Sequence, residues 1–73
     1  MIPFPDTMKE IVRLGGGLDV DAKKVMPDTA KTIARMAGAS GATVIFRNPA
    51  WMPDTLKEIG RLGAGNVIFR FED

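Results

Sequence analysis

A chain with one serine and no histidine, cysteine or tyrosine has few routes to covalent chemistry. That serine stands in Gly38-Ala39-Ser40-Gly41-Ala42, which has the outline of a nucleophile elbow. An elbow needs a strand before it, a helix after it and a histidine elsewhere to take the proton. Here the order is reversed and histidine is missing, so Ser40 reads as part of a loop that ends a helix. Apart from it, only Asp, Glu, Lys, Arg and Thr remain as acids, bases or nucleophiles, and they form no catalytic set. No catalytic, cofactor-binding or metal-ligating residue is therefore expected, and the chain should not act alone as an enzyme.

Two glycine-rich strings, Gly15-Gly16-Gly17 and Gly63-Ala64-Gly65, invite comparison with phosphate cradles. Such cradles lie between a strand and the start of a helix, where the dipole attracts anions. These strings follow helix ends instead, so they are read as caps and tight turns. The remaining repeated chemistry is a Lys-x-x-x-Arg pair, found as Lys9 and Arg13, Lys31 and Arg35, and Lys57 and Arg61. Side by side, the six would make a basic stripe suited to a phosphate backbone. Asp6, Glu10, Asp28, Asp54 and Glu58 recur three residues from these bases, so local pairs should neutralise the stripe and leave a solvated surface.

Composition bounds the alternatives. Seventy-three residues, 45% of them hydrophobic, with a net charge of +1, describe one globular domain over 1–73. A chain of that size buries only about 60% of the surface its unfolded form exposes, so it needs a staple or a partner. Without cysteine there is no disulfide, and without cysteine or histidine the common structural zinc sites are excluded. Oligomerisation remains. The small net charge gives no strong pull toward nucleic acid or anionic membrane. The opening Met-Ile-Pro-Phe-Pro-Asp-Thr has no basic start and no apolar stretch of leader length, and no run approaches the roughly 20 apolar residues of a membrane span. A cytoplasmic protein without a membrane partner is the expectation.

The elements that would position these residues come in copies. Pro5-Asp6-Thr7, Pro27-Asp28-Thr29 and Pro53-Asp54-Thr55 each open one string, in which Ile11, Ile33 and Ile59 also correspond. Ala42-Thr43-Val44-Ile45-Phe46-Arg47 matches Asn66-Val67-Ile68-Phe69-Arg70, with Leu18-Asp19-Val20-Asp21-Ala22 as the divergent first version. The copies run over about 1–24, 25–50 and 51–73, at periods in the solenoid range.

Each first half predicts a helix, near 6–14, 28–37 and 54–62. Proline suits the first turn, Asp and Thr can serve its free amides, and Thr7 with Glu10 and Thr55 with Glu58 fit a capping box. Met8, Ile11 and Leu14, like Leu56, Ile59 and Leu62, recur at the step that lines one helix face. Glycines at 15–17, 38, 41, 63 and 65 would end the helices. The β-branched second halves predict strands near 18–22, 42–47 and 66–71.

Helix–strand order three times over, with connections too long for hairpins, predicts parallel strands in chain order and all helices on one face. The fold class is thus α/β, a two-layer, three-stranded parallel sheet with one bare side. In architecture it resembles a miniature of the leucine-rich-repeat type of α/β solenoid. The leucine and asparagine signature is absent, as Phe46-Arg47-Asn48 shows, so the resemblance implies no function. The rival is an ordinary open α/β sheet in which the repeat is incidental.

Strand alternation sends Leu18, Val20, Val44, Phe46, Val67, Phe69 and Phe71 toward the helices. Asp19, Asp21, Thr43, Ile45, Arg47, Ile68 and Arg70 fall on the bare face, acidic at one end and basic at the other with isoleucines between. That face could bind a partner, or its Asp and Arg could pair across strands as on any solvated sheet. The last strand would be an edge open to pairing. Trp51 is either a binding anchor or a packing staple beside Pro53, with Phe4 and Val25 at nearly the same place in the other copies. The resulting expectation is a small self-associating structural or protein–protein interaction module, a homodimer or a binder of another protein, with no cofactor. The alternative is a weak nucleic-acid or anion binder working through the stripe.

Overall fold

The computed structural model describes residues 5–72. Three helices, α1 (Pro5–Arg13), α2 (Pro27–Ser40) and α3 (Pro53–Leu62), alternate with strands β1 (Leu18–Asp21), β2 (Val44–Arg47) and β3 (Val67–Arg70). The strands are parallel and follow chain order. Their register places Val20, Phe46 and Phe69 in one row, and Asp19, Ile45 and Ile68 in the row before it. α1 packs on α2 and α2 on α3. Buried side chains of all three helices join Val20, Val44 and Phe46 in a single cluster, so the helices form one layer on one sheet face.

Proline sets where α2 and α3 begin. Pro27 and Pro53 are first-turn residues after Met26 and Met52, whose backbones are extended. Neither helix has a side-chain cap bond, so the expected caps from Asp and Thr do not form. The reason is positional. A capping residue stands before the first helical residue, and here Asp and Thr already lie within the first turn. Asp28 and Asp54 act there through charge near the positive end of the helix dipole. The two capping-box glutamates are used elsewhere: Glu10 pairs with Arg13, and Glu58 reaches Lys31 of α2 at 3.4 Å. The paired position of Phe4 lies outside the described residues. Val25 is buried, as a staple should be.

The buried face of α1 is Met8 and Val12 rather than the Met8, Ile11, Leu14 series, and Leu14 is 71% exposed. A four-residue step follows the 3.6-residue period as well as a three-residue step does. Leu14 has also left the helix, which stops at Arg13. β1 ends one residue early because Ala22 opens a short 3-10 turn to Lys24, with the Asp21 carboxylate accepting from the Lys23 amide at 3.0 Å. Phe71 was expected to face the helices, yet it is 70% exposed. Its partner strand stops at Arg47, because Asn48 turns the chain away with φ of 50°. Phe71 therefore has no ladder to hold it inward.

Gly41 ends α2 in the left-handed conformation, φ 83°, with its amide on the Ala37 carbonyl. Gly38 ends nothing. It lies inside α2, where an added Cβ would stand 2.8 Å from the Leu62 carbonyl oxygen and 3.4 Å from the Ala64 Cβ. Glycine is what lets α2 pass this close to the end of α3. Gly60 is a contrasting case, since a Cβ there would meet only the Phe69 ring, at 3.7 Å. Urea unfolding should separate the two. Gly60→Ala should raise stability by up to about 1 kcal/mol through helix propensity. Gly38→Ala should lower it by about 1–3 kcal/mol, because overpacking against backbone outweighs that gain.

Candidate functional site

The open sheet face is built by strand alternation alone. Asp19, Asp21, Thr43, Ile45, Arg47, Ile68 and Arg70 all alternate with residues of the helix side, and Ile68 is 46% exposed. The register sets Asp21, Arg47 and Arg70 in one row. The contacts cross rows instead. Arg47 Nε donates to Asp19 Oδ1 at 2.8 Å, and Arg70 approaches Asp19 Oδ2 at 3.7 Å. Asp21 is occupied by the Lys23 amide. The cross-strand pairing expected of a solvated sheet thus exists within one chain. These groups are well exposed, so such pairs contribute about 0.2–1 kcal/mol each.

The outer edge of β3 is less well satisfied. Its Val-Ile-Phe-Arg is identical to that of β2, where Val44 and Phe46 are fully buried. Val67 and Phe69 are only half-buried, for no further unit covers them. Asn66 and Arg70 accept from the amides of Val44 and Asn48 through their carbonyls. Backbone alternation then turns the amides and carbonyls of Val67 and Phe69 outward, unpaired.

The six bases of the helix stripe stand where the copies put them, but the expected local neutralisation is sparse. Among the described residues Arg13 pairs with Glu10 in its own helix, and Lys31 pairs across to Glu58. Lys9, Arg35, Lys57 and Arg61 make no ion pair there. The Arg13 hydrogen bond holds the Glu10 carboxyl below the usual glutamate range, and Glu10 in turn holds Arg13 above the arginine value. Asp6 and Asp54 sit on the same layer without bridging Lys9 or Lys57.

Trp51 packs. Its ring meets Phe46 edge-on, with centroids 5.3 Å apart and planes at 76°, and it leans on the core cluster. Ser40 is the last residue of α2, and its hydroxyl donates to the Val12 carbonyl at 2.6 Å and accepts from the Ala42 amide. That hydroxyl is a structural link between two helix ends. Among the described residues no group of three His, Cys, Asp or Glu could hold a metal ion. No helix among them is long and apolar enough to cross a membrane.

Two exposed methionines escaped the sequence reading. Met26 and Met52, each 72% exposed, precede Pro27 and Pro53 and so crown the same end of neighbouring units. The signal was present in the repeated Met-Pro-Asp-Thr string. No protein-family model, no curated protein and no solved structure matches this chain.

With the local pairs sparse, the small net charge of +1 is what argues against phosphate binding, and this is open to measurement. At physiological salt the protein should form no salt-sensitive complex with duplex or single-stranded DNA or RNA in a fluorescence-anisotropy titration. The Lys9→Gln, Lys31→Gln, Lys57→Gln triple variant should trace the same flat curve. A submicromolar complex that weakens steeply with added salt would give the stripe a function.

Proposed function

We propose that this chain is a small self-associating structural module, a three-unit solenoid of the leucine-rich-repeat type in miniature, rather than an enzyme acting alone. The observation that carries the reading is the contrast between two identical strands. Val-Ile-Phe-Arg in β2 has a neighbour on each side and buries Val44 and Phe46 completely; the same four residues in β3 have one neighbour and leave Val67 and Phe69 half in water. Repeat stacks ordinarily end in units with polar outer faces. The third unit instead exposes part of Val67 and Phe69 on a flank whose charges are Lys57 and Arg70, and its edge lacks the proline, bulge or inward charge that blunts edges in monomeric sheets.

Size supports the same reading. A one-sided sheet of this length has little stability to spare, and each aliphatic or aromatic side chain fully buried is worth about 1.5–3 kcal/mol. Completing the burial of Val67 and Phe69 is therefore a large term for so small a chain. The open face adjoins this edge and offers Ile45 and Ile68, but its arginines already lean on Asp19, so it is the secondary surface.

Sedimentation equilibrium at low and high micromolar protein tests this. The apparent mass should rise above the 7.9 kDa of one chain as concentration rises. Val67→Pro, which removes an outward amide at a position where an edge strand tolerates proline, should return the protein to a folded monomer. A wild type that stays monomeric and well folded at high micromolar concentration would refute self-association.

A further inference from the structure

We propose that copies of this chain join head to tail, the α3–β3 end of one receiving the α1–β1 end of the next as α2 and β2 already receive α3 and β3. This rests on the self-association proposed above and specifies its geometry. Three independent features of the two ends agree.

The first is backbone phase. At β3 the amides of Val67 and Phe69 face the free edge. At β1 the Leu18 amide donates to the Thr43 carbonyl, so alternation turns Asp19 and Asp21 toward the opposite free edge. By the repeat alignment these are the same two edges that meet between β2 and β3, where Val44 pairs with Val67. One register therefore serves both joints.

The second is the helix flank. Val12 and Ala34 are fully buried, and their counterpart in α3 is the half-exposed Gly60. Conversely, Met36 and Leu62 pack against the core while their counterpart Leu14 stands out in water. One end of the molecule lacks a cover, and the other carries an uncovered leucine in the place from which the later units supply theirs.

The third is charge. Lys31 of α2 bridges to Glu58 of α3 across the helix layer. The counterpart of that lysine at the open end is Lys57, which makes no ion pair among the described residues, and the counterpart of that glutamate at the other end is Glu10. On the sheet, Arg70 would gain Asp19 of the next copy on its vacant side. A head-to-tail joint thus sets Lys57 and Arg70 against Glu10 and Asp19. A twofold joint through β3 would instead bring Lys57 and Arg70 up to their own copies. Because a heterologous joint does not close at two, association should continue to higher oligomers unless the rotation closes a ring.

Glu10 and Lys57 are both exposed, so reversing either charge spares the core. Glu10→Lys alone and Lys57→Glu alone each place like charges at every joint, and each should weaken association about tenfold. An equimolar mixture of the two restores an opposite pair at every joint and should recover the wild-type mass distribution in sedimentation, with circular dichroism unchanged throughout. A wild type that stops at a dimer, a Glu10→Lys variant that associates normally, or a mixture that stays dissociated would overturn the head-to-tail joint while leaving self-association standing. A monomeric wild type would overturn both.

Discussion

The fold turns on one side chain in the middle of the sheet. Phe46 is fully buried in β2, in register between Val20 and Phe69, with Trp51 edge-on at 5.3 Å and the Phe69 ring stacked at 6.3 Å. Each of the three units contributes to its surroundings, and no other unit supplies an equivalent centre. The first unit has the smaller Val20 at that position, on an edge strand whose one sheet neighbour is β2. The third has Phe69, which has nothing beyond it. The ends therefore depend on the middle far more than on one another, and what distinguishes three near-copies is where each stands in the stack.

Polar side chains repeat the same directional logic. The Val12 and Ala37 carbonyls near the helix ends accept from the Gly15 and Gly41 amides of their own units, and the following unit adds a second donor to each. Ser40 of the second unit donates to the Val12 carbonyl in α1, and Asn66 of the third donates through its side-chain amide to the Ala37 carbonyl in α2 at 3.1 Å. Asn48 runs the other way along the sheet, accepting the Glu72 amide at 2.6 Å where the two last strands end. Together with Gly38, which lets two helices touch backbone to backbone, these contacts fix each unit's angle on the one before it. The hydrophobic cluster alone would not do so, since apolar burial has no direction.

Most of the layout could be read from the residues. Three Pro-Asp-Thr strings and two Val-Ile-Phe-Arg strings give the number, type and order of elements, and two-residue alternation correctly separates Val44 and Phe46 from Ile45 and Arg47. What stayed hidden depended on neighbours that a single string does not show. Gly38 looks like Gly41 in the sequence, and only the proximity of Leu62 makes one a contact and the other a cap. Phe71 has the composition of a strand residue and fails to be one because Asn48, far away in the chain, ends the partner strand. The caps were misplaced because the helices start at proline, so the cap positions fall at Met26 and Met52, two residues before Asp28 and Asp54 and three before Thr29 and Thr55. For the candidate surface, the burial alternation within the strands is as expected, yet the diagonal reach of Arg47 and Arg70 to a shared Asp19 follows from side-chain length and not from register.

The stacking of units in chain order also shapes how the molecule comes together and comes apart. Contacts concentrate between sequence neighbours, α1 with α2, α2 with α3, β1 with β2 and β2 with β3. Each strand pairing closes a loop of about two dozen residues, and closure entropy grows only slowly with such lengths. An assembly pathway that starts from either outer unit must recruit the second before it gains a core, so Phe46 and its surroundings are the natural nucleus. In the reverse direction the third unit, with its half-wetted aromatic ring, is the natural place for fraying to begin. Amide exchange in this protein would then record a gradient across the sheet, slowest in β2 and fastest at the β3 rim, in place of a single cooperative opening.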